Sequence, residues 1–311
     1  MTSQGTDWNR RPLVSYAFCD SNVNSFTVNV SSGRPDSVPY RFKIDSDWIS
    51  VSKTEGEVSG VEKITVSCDR EKLSKCDKKS CTIFIENDDR SCGRVSIPLV
   101  IYAKTVDENL LPHNEEGGID AIIQNAPYIA FDAERFNENV AGIDKDGRVT
   151  CFEVLPEYGK LNSAVKVESV TSYFKEDLKN SPSLKYDIFI RDDIEYFGKE
   201  NDGNSDGIYK VDFYMNPSNP ATKDNYFKFG AAVNGKKVLV DVVDENFRVG
   251  DNQFPWGDDI TNHIRVKSAY FEFKKGMNTL EVFAVTPNFV LEKIVISPKN
   301  YKVRESYLGP R

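Results

Sequence analysis

Apolar and polar residues alternate at period two through nearly the whole chain, in short runs set apart by turn residues. No segment sustains a helical period. This pattern puts one side of each run into a core and excludes a helical bundle or a strand-helix barrel. In SFTVNV the residues Phe26, Val28 and Val30 share a face, and YRFKI repeats the arrangement with Tyr40, Phe42 and Ile44. Ile83 and Ile85 alternate in TIFIE, as do Val95, Ile97, Leu99 and Ile101 in the run that follows. About seven such strands in roughly the first 100 residues mark an immunoglobulin-like sandwich. Between them, Gly56 is expected to supply a turn and Trp48 a core residue. A second series starts near residue 127, with Tyr209, Val211, Phe213 and Met215 facing one way and Lys210, Asp212 and Tyr214 the other. That series reads as a jelly-roll sandwich. The expected fold class is therefore all-β, with one sandwich over 1–104, a linker over 105–126 and a second sandwich over 127–311. The linker is assigned from its acids, its proline and Gly117-Gly118, which break the alternation.

The 311 residues suit two domains. With 40 Lys+Arg against 48 Asp+Glu the net charge is −8, which argues against a phosphate-binding face and so against nucleic acid. No apolar run is long enough for a membrane-spanning helix, and the polar first residues hold no signal-peptide core. Only two histidines occur, His113 and His263, too few for a histidine-based metal or catalytic centre. The six cysteines (Cys19, Cys68, Cys76, Cys81, Cys92 and Cys151) include no C-x-x-C pair. They leave three readings, a zinc site, disulfides of an exported domain or free thiols.

Several segments carry a family resemblance. Tyr128 to Phe136 (YIAFDAERF), Phe152 to Gly159 (FEVLPEYG), Leu161 to Lys166 (LNSAVK), Tyr209 to Pro220 and Phe227 to Val233 run in the family's order. Trp256, Ile260 and Asn262, then Thr279 to Val282, Val285 to Ile296 and Ser306 to Pro310 (SYLGP) complete it. Together they resemble the C-terminal domain of glycoside hydrolase family 115, the xylan α-1,2-glucuronidases. Asp47 to Ser52 (DWISVS) with Gly56 resembles bacterial carbohydrate-associated (BACON-like) immunoglobulin-fold modules. The resemblance implies an immunoglobulin-like sandwich followed by a jelly-roll (galactose-binding-like) sandwich. It implies a non-catalytic accessory region that buttresses a catalytic barrel in glucuronoxylan degradation, in an extracellular and often dimeric enzyme. The catalytic residues of that family lie on a barrel of roughly 250 residues, so none is carried onto this chain. The chain departs from the family at Asp132, Arg135 and Phe152, where the family has Glu, His and Trp. Two other readings stay open, a free-standing carbohydrate-binding module and a structural adaptor.

Candidate sites follow. Asp132 and Glu134, at i and i+2, are expected to project from one face of a strand. Related sugar-binding modules of families 6 and 35 hold a structural calcium with such a pair and an acid near the last strand, here Glu292. Oxygen ligands of this kind suit calcium. Trp256, in a loop with Asp258 and Asn262, and Tyr158, in a Tyr-Gly turn, are the carbohydrate-binding candidates. Aromatic faces stack on sugars while carboxylates and amides hydrogen-bond them. Asp202 to Gly207 (DGNSDG) begins like a calcium loop but lacks the closing Glu, since Phe213 stands there, and reads as a solvated hairpin. No pair of carboxylates stands out for glycoside hydrolysis.

Overall fold

The computed structural model describes residues 13–19, 23–77, 79–87, 95–103, 120–160, 163–191, 207–220, 226–243 and 254–303, leaving out the side chains of 95 and 254–256. The chain separates into two compact units, Met1–Leu110 and Leu111–Arg311.

The first unit contains β1 (Leu13–Phe18), β2 (Ser25–Ser31), β3 (Val38–Ile44), β4 (Ile49–Val51), β5 (Glu55–Val58), β6 (Val61–Cys68), the short helix α1 (Arg70–Lys75), β7 (Ser80–Asn87) and β8 (Val95–Ala103). They form a five-stranded sheet, β1-β8-β7-β3-β5, and a three-stranded sheet, β2-β6-β4. The inward residues are those the alternation selects: Val28, Tyr40, Phe42, Ile64, Val66, Ile83, Leu99 and Ile101 are buried around Trp48. Asp69 caps α1 by accepting the Lys72 N–H at 3.1 Å, and α1 buries Leu73 in this core.

Gly56 does not make the expected turn. It lies inside β5 opposite Tyr40. A Cβ there would come within 2.7 Å of Lys53 Nζ and 2.9 Å of the Tyr40 hydroxyl. The missing side chain makes room for Tyr40 to donate to Glu62 at 2.6 Å and for Lys53 to donate to the same carboxylate at 2.8 Å. Cys19, Cys68, Cys76, Cys81 and Cys151 are free thiols, and Cys92 lies outside the described residues.

The second unit contains β9 (Ile122–Ile123), β10 (Ile129–Asp132), β11 (Glu138–Val140), β12 (Gly142–Ile143), β13 (Val149–Thr150), β14 (Phe152–Pro156), β15 (Ser163–Val167), β16 (Ser183–Ile190), β17 (Ile208–Met215), β18 (Lys228–Val233), β19 (Lys236–Asp241), α2 (Phe254–Asn262), β20 (Arg265–Glu272), β21 (Gly276–Ala284) and β22 (Val290–Pro298). One sheet runs β14-β15-β22-β17-β20, with β10 also on β22. The other runs β11-β16-β21-β18-β19, with β9 on β16. Ile122 and Ile123, within the segment read as a linker, thus pair in parallel with Ile188 and Phe189.

An apolar core fills the space between these sheets. Phe213, Phe229 and Phe289 run through it, with ring centroids 4.9 Å and 4.4 Å apart. Such aromatic contacts add about 1 kcal/mol each beyond area burial. All nine residues of β22 are buried, Glu292 and Lys293 included. The immunoglobulin-like and jelly-roll sandwiches of the expected all-β fold are both present.

Candidate functional site

The site is organised by an irregularity in β22. Tyr214 pairs with Lys293 but Met215 pairs with Leu291, so Glu292 is an extra residue without a partner position on β17. A bulge of this kind re-aims a side chain that a regular ladder would fix. Glu292 is fully buried, and a buried carboxylate requires donors to offset its lost hydration. One donor is the Lys160 backbone N–H, at 3.0 Å from Glu292 Oε2.

The turn between β14 and β15 is shaped to reach that carboxylate. Glu157 (φ 53°) and Gly159 (φ 77°) both occupy the left-handed region. A Cβ on Gly159 would lie 2.4 Å from Glu292 Oε1, so only glycine lets this backbone pass. Holding Glu157 left-handed costs about 1 to 2 kcal/mol, and such strain is concentrated at sites that need a fixed geometry. Between the two, Tyr158 is 39% exposed.

The Lys160 side chain then ties this turn to α2, its Nζ donating to the Asn262 carbonyl at 2.7 Å. Burial lowers the Lys160 pKa, against the pull of the Glu292 charge, which raises it. Residues 254–262, expected as a loop, form α2. Pro255 is tolerated in a first helical turn, and Gly257 within the helix costs about 1 kcal/mol. Both read as loop signals, which is why the helix was not legible.

The end of α2 is a Schellman-type cap. His263 N–H reaches the Ile260 carbonyl (3.2 Å) and Ile264 N–H the Asp259 carbonyl (3.1 Å), with His263 itself left-handed at φ 55°. That accounts for this histidine structurally. Arg265, 3% exposed, anchors the helix by donating to Asp259 at 2.6 Å and to the Ser218 carbonyl at 2.7 Å. Asp258 and Asn262 are exposed at i and i+4, so they share one helix face.

The candidates therefore separate. Tyr158 and Asn262 are brought to one rim through Lys160, with Asp258 one helical turn away, while the Trp256 side chain lies outside the described residues. The expected calcium ligands do not converge. β10 ends at Asp132 and the chain turns, Arg135 N–H bonding the Asp132 carbonyl at 3.0 Å. Glu134 is therefore exposed on a turn and not on a common strand face with Asp132. Asp132 lies 3.9 Å from the Lys293 ammonium, and the buried Tyr186 hydroxyl holds the turn through the Ala133 carbonyl at 2.7 Å. Among the described residues no three His, Cys, Asp or Glu side chains are gathered so as to hold a metal ion. Of the Asp202–Gly207 segment only Gly207 is described, with φ 68° and its carbonyl accepting Phe273 N–H at 3.0 Å.

The sequence reading missed Lys160 and Arg265. Neither stands in a recognisable spacing to its partner, although Tyr158-Gly159 did mark the turn.

An immunoglobulin-like sandwich followed in the chain by a jelly roll, whose loop end offers an aromatic ring, an amide and a carboxylate, is the build of a carbohydrate-active accessory protein. Residues 123–311 match the model of the Glycosyl hydrolase family 115 C-terminal domain, and the chain belongs to that family. Residues 15–92 match the model of the Viral BACON domain. No curated protein sequence matches the chain significantly.

Among solved structures, one similar chain is a family 115 4-O-methyl-α-glucuronidase described as specific for decorated arabinogalactans. It shows 11% identity and a TM-score of 0.36 over 56% of this chain and 17% of that enzyme. Another is a family 35 carbohydrate-binding module from Clostridium thermocellum, at 11% identity and a TM-score of 0.32 over 54% of this chain and 96% of the module. A third is an exo-β-1,3-galactanase from Phanerochaete chrysosporium, at 13% identity and a TM-score of 0.31, covering 70% and 41% of the two chains. The chain thus spans 17% of the length of the family 115 enzyme.

Proposed function

We propose that this chain is a non-catalytic accessory region of a xylan α-1,2-glucuronidase-like glycoside hydrolase, acting outside the cell on glucuronoxylan. The observation that carries this reading is the family 115 C-terminal match over residues 123–311. In this reading the two sandwiches support a catalytic barrel and assemble as a homodimer. The rim of Tyr158, Asp258 and Asn262, together with Trp256, contacts the polysaccharide. The fixed turn supports a binding role, because a side chain held in place before binding loses less entropy on contact.

The test is incubation of the pure chain with glucuronoxylan, followed by quantification of released glucuronic acid. No release above buffer is expected. Sustained release that scales with protein concentration would overturn the accessory role.

A further inference from the structure

The outer face of the sheet β11-β16-β21-β18-β19 holds a groove. Leu184, Tyr186 and Ile188 of β16 and Leu280 and Val282 of β21 point into the core, so Lys185, Asp187, Thr279 and Glu281 point outward. Leu178 covers part of this face, packed with Ala232, Phe283 and Val285. Its side chain sits where a Cβ on Gly230 would be, 2.5 Å from Cδ1. The remainder is a groove of about 360 Å³ that includes Asn137, Asn234 and Thr279, within the range of about 300–1,000 Å³ usual for small-molecule sites.

The polar groups in this groove are already fixed. Asn137 accepts the Asp187 N–H at 2.8 Å and donates to the Asp120 carbonyl at 3.0 Å. Asn234 accepts the Thr279 N–H at 3.0 Å, and the Thr279 hydroxyl donates to Asp187 Oδ1 at 3.2 Å. Lys185 and Glu138 form an ion pair at 2.6 Å. Among the described residues, no hydrogen bond occupies the Glu281 carboxylate, which faces the Lys185 ammonium from the neighbouring strand. On the same face, beyond the Asp187–Thr279 pair and outside the groove itself, the half-buried Phe189 lies opposite Met277, which is 46% exposed. An apolar ledge therefore borders a row of preset acceptors, the pairing a sugar ring requires with its C–H face on one side and its hydroxyls on the other.

Charge selects the ligand. Glu138, Asp187 and Glu281 stand against a single ammonium, Lys185, so a uronic-acid carboxylate entering the groove is repelled while hydroxyl donors are accepted. We propose that this sheet face is a second glycan-binding site, specific for neutral, unsubstituted oligosaccharide. The proposal rests on membership of a carbohydrate-active family and is independent of the loop rim around Tyr158.

The test is calorimetric titration of the full chain with xylohexaose, cellohexaose and β-1,3-galactohexaose, and with a glucuronic-acid-substituted xylohexaose. At least one neutral probe is expected to bind saturably. Glu281→Ala should weaken it about tenfold, in line with loss of a hydrogen bond to a charged acceptor. Glu281→Gln, which keeps an acceptor, should weaken it less. The substituted probe should retain no affinity that Glu281→Ala can reduce. Failure of all three neutral probes overturns the proposal. So does neutral binding that Glu281→Ala leaves intact or that Tyr158→Ala abolishes. Loss of acidic-probe binding in Tyr158→Ala alone would concern only the loop rim.

Discussion

Gly159 and Glu292 show how a single backbone position decides whether a site can exist. The carboxylate is buried, and the chain passes so close to it that a methyl group has no place. Gly159→Ala should combine a left-handed strain with a steric clash and destabilise the second unit by about 2 to 4 kcal/mol, measurable by denaturant unfolding. Tyr158 was legible as a candidate because a Tyr-Gly pair marks a turn. Glu292 was legible as an acid on the last strand, but not as a bulge, because the extra residue is defined by the register of β17, over 70 residues away in the chain.

A second residue-scale outcome concerns Asp144. Burial opposes its charge, yet the Ser172 hydroxyl, the Arg148 and Asp146 N–H groups and the Arg148 side chain outweigh that and hold its pKa at about 2. A depressed carboxylate pKa stabilises the fold above the unfolded value of 3.8, and that contribution is lost as pH falls toward 2. Asp144→Asn should therefore flatten the decline in melting temperature between about pH 5 and pH 2. An unchanged slope would remove Asp144 from this account.

At the scale of elements, the strands were readable and the helix beside the site was not. Period-two alternation identified the inward residues of β2, β3, β7, β8 and β17 because each has one face on a core. β22 shows the limit of that signal, since a strand buried on both faces cannot alternate. The segment over α2 carries Pro255 and Gly257, and its stability comes from tertiary anchors that local sequence does not reveal. Chief among these is Arg265, 3% exposed and bonded to Asp259 and the Ser218 carbonyl. Arg265→Ala leaves the partly exposed Asp259 without its cation and the Ser218 carbonyl without its donor, and should cost about 1 to 3 kcal/mol. The same variant should weaken glycan contact at the loop rim even though Arg265 is itself buried. Retained stability and binding in Arg265→Ala would show that α2 is positioned by other contacts. Gly56 carries the matching lesson in β5, where a glycine read as a turn instead clears space for the Tyr40–Glu62–Lys53 cluster.

For the whole molecule, each unit buries its own apolar core, and the larger one depends on aromatic packing through Phe229. Phe229→Ala should destabilise the second unit by about 3 to 5 kcal/mol, visible as a lower thermal midpoint for that unit. The acidic net charge of −8 bears on the ligand as well. Net repulsion opposes the approach of a uronic-acid-bearing chain, so its binding should strengthen as ionic strength screens that repulsion. Fold class and family were legible because they rest on patterns spread over many residues. The geometry of the rim was not, since it depends on a few long-range contacts that leave no periodic trace.

The most direct measurement is titration of the full chain with soluble glucuronoxylan fragments, comparing the native protein with Tyr158→Ala. The account predicts saturable binding that the substitution weakens severalfold without lowering the melting temperature. Absence of binding by the native chain would contradict a glycan-contacting accessory region and leave only an architectural role.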